Sequence, residues 1–290
     1  MLPPATPLPA IPRLSNRHRA MLLEMGVPVW WPEIDERAPQ APPVVVAPPV
    51  AAPRPAPKPL VIPMVPAADF PDLGALEAAV RGCARCGLSS SRQCAVPGMG
   101  DGQPDWLIVG EAPGEEEDRQ GLPFVGRAGQ LLDRMLAAMD LTRDQKVYIA
   151  NVIKCRPPMN RNPDPAEIAA CSPYLLRQIQ LLRPRMVLAM GRFAAQTLLI
   201  EGGVMPRDAI RQMPLGKLRG VVHLAQLGGH ELPVVVTYHP AYLLRSPAEK
   251  AKAWADLCLA MDTMDQRAGM ARSGSSHGTT QGSAEAVAGR

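Results

Sequence analysis

The chain is poor in aromatic residues. Only 4% of its 290 residues are Phe, Tyr or Trp, so a ring set in a loop is either a ligand contact or an anchor for that loop. No run of about 18 uncharged apolar residues occurs, which excludes a transmembrane helix. The first residues, MLPPATPLPAIPRL, lack a charged stretch followed by an apolar one, so they do not form a secretory signal. A cytoplasmic protein is expected, and there a stable disulfide framework is not. The Asp/His constellation of a metal-dependent phosphate-ester hydrolase is also missing. The net charge is +4 and the pI about 8.8, a mildly basic balance compatible with a polyanionic partner.

What the chain has in excess is proline, 34 in all. Eleven of them fall between Pro39 and Pro66, where missing donors and fixed φ favour an extended, semi-rigid linker over residues 36–68. Residues 1–35 form an N-terminal arm. A short helix is expected within residues 15–31, followed by Trp30 and Trp31, which either pack on the main domain or dock a protein partner. Residues 266–290 are rich in Gly, Ser and Ala and read as a disordered tail.

Between these, residues 69–265 alternate short apolar runs with helical patterns. The strand candidates are Trp106–Val109, Val147–Val152, Met186–Met190 and Val234–Thr237. The helix candidates are Leu73–Ala84, Gly126–Met139, Pro165–Leu182, Arg192–Ile200 and Pro247–Met264, with an antiparallel excursion near Leu218–Leu224. Nearly continuous apolar strands alternating with helices predict an α/β domain whose parallel sheet is covered on both faces. Such sheets place their sites at the carboxyl ends of the strands.

Six cysteines are present. Cys83 and Cys86 form a C-x-x-C pair, and Cys155 and Cys171 follow at a much wider spacing. Four thiolates suit zinc or an iron–sulfur cluster. Cys94 and Cys258 stand apart.

The chemistry-bearing residues gather where the strands end. Gly110-Glu111-Ala112-Pro113-Gly114 is a turn that offers backbone N–H groups and one carboxylate. It is not a G-x-G-x-x-G dinucleotide fingerprint. An acidic run containing Glu117 leads to Phe124, a ring between prolines and glycines that can stack on a planar ligand. Asn151 closes a β-branched run, where a carboxamide can read an N–H beside a C=O. His239 stands at a strand end, fixed by Pro240. Leu243 and Leu244, beside Arg245, have the make-up of an apolar wedge flanked by charge; the alternative is an ordinary helix entry. Lys154, Arg156, Arg161, Arg192 and Arg245 are candidates for phosphate contacts.

These residues together resemble the family 4 uracil-DNA glycosylases, the iron–sulfur branch of that superfamily. The resemblance rests on GEAPGEEEDRQGLPFVGRAGQLLDRML, NVIKCRPPMNRNPDPAEIAAC and TYHPAYLLR, in that order and with the four cysteines. It covers about residues 72–262. It implies a three-layer α/β/α sandwich around a four-stranded parallel sheet. It implies a [4Fe-4S] cluster on Cys83, Cys86, Cys155 and Cys171, with Cys83 and Cys86 placed on the opening helix. It implies uracil recognition by Asn151, stacking on Phe124, and participation of Glu111 and His239. The residues around these, Gly110, Ala112, Pro113 and Glu117, would line the base site, with Glu117 a second candidate for a water contact. Arg156, Leu243, Leu244 and Arg245 would meet DNA. The expected partner is uracil-containing DNA, single- or double-stranded, bound by a monomer. A related branch that links covalently to DNA shows GEQPG and a KRRIH-type loop, whereas this chain has GEAPG and KCRPPMNRNP. Family 5 enzymes lack the carboxylate that Glu111 supplies. The competing reading is a non-catalytic nucleic-acid-binding module that keeps fold and cluster.

Overall fold

The computed structural model describes residues 70–275, with side chains described to Arg267. The N-terminal arm, the proline-rich linker and the last fifteen residues lie outside that range. The elements in chain order are α1 (Leu73–Arg81), β1 (Met99–Gly100), β2 (Trp106–Gly110), α2 (Glu115–Gln120), α3 (Arg127–Ala137), β3 (Val147–Asn151) and α4 (Pro165–Leu182). They continue with β4 (Met186–Met190), α5 (Arg192–Glu201), α6 (Arg207–Gln212), α7 (Leu215–Leu218), β5 (Val222–Leu227), β6 (His230–Thr237), α8 (Pro240–Arg245) and α9 (Lys250–Ser275).

Every residue of β2, β3 and β4 is buried, as strands covered on both faces require. Side chains alternate between faces with period two. Leu107, Val109, Tyr148, Ala150, Val187 and Ala189 point to one side, where α1, α4 and α5 pack. Ile108, Val147, Ile149, Met186 and Leu188 point to the other, under α3 and α9. The three layers expected are therefore present. The strand order is β1-β3-β2-β4-β6-β5. Its four central strands are parallel, and the sheet is larger than the expected four strands. β1 adds to β3 and β5 to β6, both antiparallel. The excursion placed near Leu218–Leu224 is the hairpin partner β5, shifted toward the chain's C-terminus.

Helix bounds follow local chemistry. α4 begins at Pro165, whose missing N–H is no loss at the first helical position. Glu167 reaches back to accept from the Asp164 N–H at 2.8 Å, half of a capping box. α1 is capped by Asp72, which accepts from the Ala75 N–H at 2.8 Å, and it ends at Arg81 with Gly82 as its cap. Cys83 and Cys86 thus lie in the turn beyond α1, not on the helix. At the other end α9 runs on to Ser275, ten residues into the stretch read as a tail. Gln266, Arg267 and Ala268 are good helix formers and no proline interrupts them. No helix among the described residues is long and apolar enough to cross a membrane.

One buried ion pair ties the sheet's far side together. Arg219, following α7, donates to Asp256 of α9 at 2.8 Å, and Asp256 is 1% exposed. The same guanidinium lies 4.4 Å over the Tyr238 ring. Removing one partner strands the other charge. Asp256→Ala should therefore lower the unfolding free energy by about 3–5 kcal/mol, read from the urea midpoint.

Candidate active site

The carboxyl ends of β2, β3, β4 and β6 open into a cleft of about 750 Å³. Glu111, Ala112, Pro113, Glu117, Phe124, Asn151, His239 and Arg245 all line it. Chain segments far apart in sequence meet there because the parallel strands end on one edge.

Gly110 and Asn151 are register partners on adjacent strands. A Cβ on Gly110 would come within 2.4 Å of Asn151 Oδ1 and 2.6 Å of Phe124 Cζ. Gly110 does not line the cleft; its bare backbone lets the amide and the ring meet over the strand end. Asn151 is 2% exposed, and its Oδ1 is buried with no hydrogen-bond partner. Buried polar atoms in folded proteins nearly always have partners. An orphaned acceptor in the wall of a cleft is a position waiting for a ligand's N–H.

Phe124 has a left-handed backbone, φ 53°, and three devices hold it. Glu117 Oε1 accepts from the Val125 and Gly126 N–H groups, both at 3.0 Å, while Oε2 accepts from Gly114 N–H at 3.0 Å. One carboxylate so joins the Gly110–Gly114 turn to the Phe124 loop. Glu117 is committed to backbone, and the expected water contact gives way to this positioning role. Arg143 donates to the Phe124 carbonyl, to that of Pro123 at 3.0 Å and to that of Gly129 at 3.3 Å. Gly129 completes the frame, because a Cβ there would fall 1.7 Å from the Phe124 oxygen.

His239 stacks against Phe124, with ring centroids 5.5 Å apart and planes at 27°. Its Nδ1 accepts from the Ala241 N–H at 3.1 Å. Burial, with a smaller contribution from the Arg245 charge, pushes its pKa down to about 4. The ring is therefore neutral at physiological pH, and with Nδ1 accepting, the proton sits on Nε2 as a donor. Burial raises the Glu111 carboxyl, and the nearby Arg192 guanidinium offsets part of that rise.

The basic residues divide. Arg192 and Arg245 line the cleft and form no ion pair among the described residues. Arg161 lines it but is paired with Glu167 at 2.6 Å. Arg156 is turned away, bonded to Asn160 Oδ1 at 2.8 Å and 3.6 Å from Glu115. Lys154 is buried. Its Nζ donates to the Asn151 carbonyl at 2.8 Å and to Gln178 Oε1 at 2.6 Å, and burial pushes it down to about 8, so it is no phosphate contact. Of the two candidate wedges, Leu243 is 1% exposed in the core under α8, while Leu244 is 38% exposed. Of the two, only Leu244 reaches the surface. Sequence reasoning missed Arg143, which nothing in its neighbourhood marked. It also missed Phe193, a cleft residue that the scarcity of phenylalanine could have flagged.

A second, much smaller cavity, about 10 Å³, is lined by Cys83, Cys86, Cys155 and Cys171. Arg92 donates to Cys155 Sγ at 3.0 Å and the Lys154 N–H to Cys171 Sγ at 3.3 Å. Burial raises Cys86 and Cys155 and pushes Cys171 up to about 12. Among the described residues no three His, Cys, Asp or Glu side chains close on a single ion position. Cys94 and Cys258 do not line this cavity, and no described cysteine is disulfide-bonded.

An α/β/α sandwich whose strand ends carry a turn carboxylate, an orphaned carboxamide, a stacked ring and a neutral histidine forms a cleft that can accept a planar, amide-bearing ligand. Residues 97–258 match the family model described as "Uracil DNA glycosylase superfamily". The chain is 42% identical over 188 residues to the type-4 uracil-DNA glycosylase of Pyrobaculum aerophilum, covering 65% of this chain and 92% of that protein. It is 40% identical over 168 residues to the type-4 enzyme of Archaeoglobus fulgidus, covering 58% and 81%. It is 42% identical over 169 residues to that of Saccharolobus solfataricus, covering 58% and 75%. The chain belongs to the uracil DNA glycosylase superfamily and, within it, to the type-4 group.

Proposed function

We propose that the protein is a DNA repair hydrolase that flips uracil out of DNA, cleaves its N-glycosidic bond and leaves an abasic site. The observation that carries this reading is the buried, partnerless Asn151 Oδ1 beside the Phe124 ring. Oδ1 accepts from uracil N3–H while Nδ2 donates to O4, the pairing a cis amide needs. Cytosine, with a bare N3, meets Oδ1 acceptor to acceptor. Phe124 stacks on the flipped base.

Bond cleavage leaves a cationic sugar and a uracil anion. His239 donates through Nε2–H to the carbonyl where negative charge develops, and the backbone N–H groups of Glu111 and Ala112 would add donors. A neutral imidazole is the fitting donor here, because it stabilises the anion without giving up its proton. Glu111, an anion in a poorly solvated wall, stabilises the sugar cation and orients the water that captures it. Arg192 and Arg245 take the flanking phosphates, and Leu244 fills the vacated stack. Excision of uracil from a synthetic oligonucleotide, with an abasic product and free base, is the direct test. A chain that binds such DNA without releasing base would instead be the non-catalytic module.

We further propose that Cys83, Cys86, Cys155 and Cys171 hold a [4Fe-4S] cluster. The donor set fits such a cluster, because four cysteine sulfurs line one cavity and four cysteines are its usual ligands. The two N–H···S contacts favour thiolate ligands. Holding the cluster, these four residues would tie the turn beyond α1, the β3 exit and α4 together, and hydrolysis would ask no electron of it. Cys171→Ala should give a colourless protein with little iron, a lower melting temperature and a raised KM. An iron-free, zinc-loaded wild type of full activity would overturn the assignment. We place the protein in the cytoplasm, acting as a monomer.

A further inference from the structure

The cleft has two facing rims. One is α8, which follows β6, and the other is the loop that follows β3. β2 and β4 lie between those strands, so the rims stand roughly 14 Å apart at their roots, three strand spacings. The α8 rim presents Leu244 and Tyr242, each 38% exposed. The opposite rim presents Met159, 93% exposed and the most exposed of the large apolar side chains among the described residues.

Met159 is held out by its backbone. It adopts φ 56°, ψ 21° inside the Pro158–Asn160 turn, and Asn160 follows at φ 52°. Asparagine visits this region readily; methionine does so against its own Cβ sterics, where glycine would sit at ease. The turn is pinned on both sides. Pro157 and Pro158 stiffen its entry, the Arg156–Asn160 bond spans it, and the Arg161–Glu167 pair fastens its exit to α4. Pro157 and Asn160 themselves line the cleft. A stiff frame therefore carries an unbranched, polarizable side chain into solvent at the lip of a basic cleft. In water that chain gains nothing. Between the bases of a duplex it gains apolar contact on both faces.

We propose that Met159 is a second DNA-inserting side chain, entering the base stack of duplex DNA on the rim opposite Leu244. The proposal rests on the glycosylase reading. Two wedges a few base steps apart would hold a duplex kinked around the flipped nucleotide, whereas a single strand has little stack to open. Met159 is then a determinant of strand preference.

The test uses the full chain and variants Met159→Gly, Met159→Ala and Met159→Leu. Single-turnover excision is compared on a uracil-containing duplex and on the same strand alone, and duplexes carrying 2-aminopurine near the uracil report unstacking by fluorescence. The duplex-to-single-strand rate ratio should fall about tenfold in both truncations, with loss of the fluorescence rise. Met159→Leu should restore both. An unchanged ratio in either truncation, or no restoration by leucine, would overturn the proposal. A wild type that excises uracil from neither substrate would defeat the glycosylase reading, and the fluorescence rise on binding would then decide the role of Met159 alone.

Discussion

Asn151→Asp should lower uracil excision by about 10⁴-fold, the scale on which a site built around hydrogen bonds rejects a mismatched group. The Asn151 amide, buried beside the Phe124 ring, can accept from N3–H and donate to O4 together. A carboxylate keeps the first contact and turns the second into repulsion, which grows as the leaving base acquires negative charge. It also places a charge at a position only 2% exposed, beside the Phe124 ring and with no cation bonded to it. The same substitution changes sign for cytosine, whose 4-amino group donates. The ratio of uracil to cytosine excision should therefore fall further than the uracil rate itself. Single-turnover rates on matched oligonucleotides measure both. Retention of the wild-type uracil rate would remove Asn151 from the recognition role. The fold should survive, because the Asn151 backbone stays paired within β3 and its carbonyl stays bonded to Lys154.

The elements that hold these residues were largely readable from the chain. WLIVG, VYIA and MVLAM are short apolar runs, the form a strand buried on both faces takes. The helix expected over Pro165–Leu182 is α4 to the residue. Because parallel strands deliver their loops to one edge, Glu111, Asn151 and His239 could be brought together without coordinates. What escaped did so for physical reasons. β1 has two residues, too few for any periodicity. α8 has six, so pattern alone did not separate buried Leu243 from exposed Leu244. A lysine defaults to solvent, and only the Gln178 and Asn151 acceptors in three dimensions explain why Lys154 is inside. The Arg143 grip on the Phe124 loop spans nearly twenty residues with no motif attached. Glu117 looked like part of a solvated acidic run until its oxygens were seen to take three backbone N–H groups. Residues proposed to touch ligand were thus visible by type and position, and residues that hold them in place were not.

The second large effect concerns the proton inventory of the cleft. His239→Ala should slow excision by about 10²–10³-fold, the loss expected when one preorganised donor to a developing anion is removed. The pH profile distinguishes a neutral donor from a cationic one. With its pKa near 4, His239 does not titrate near 6.5, where an ordinary histidine would. Wild-type activity should therefore show no rise on acidification through that range. The acid-side decline should instead follow Glu111, whose carboxyl protonates above the usual carboxylate value of 4.5. Glu111→Gln should be slow at all pH values and should lose that limb, remaining flat until His239 protonates near 4. Stability gives an independent reading of the same histidine. Its folded pKa lies below its unfolded value, so between about 6.5 and 4 the unfolded chain binds the extra proton. Wild type should lose stability relative to His239→Ala as the pH falls through that window. Activity that climbs below pH 6.5, with stability differences insensitive to pH, would mean that an imidazolium works in this cleft and that the Nδ1 contact to Ala241 does not set the tautomer.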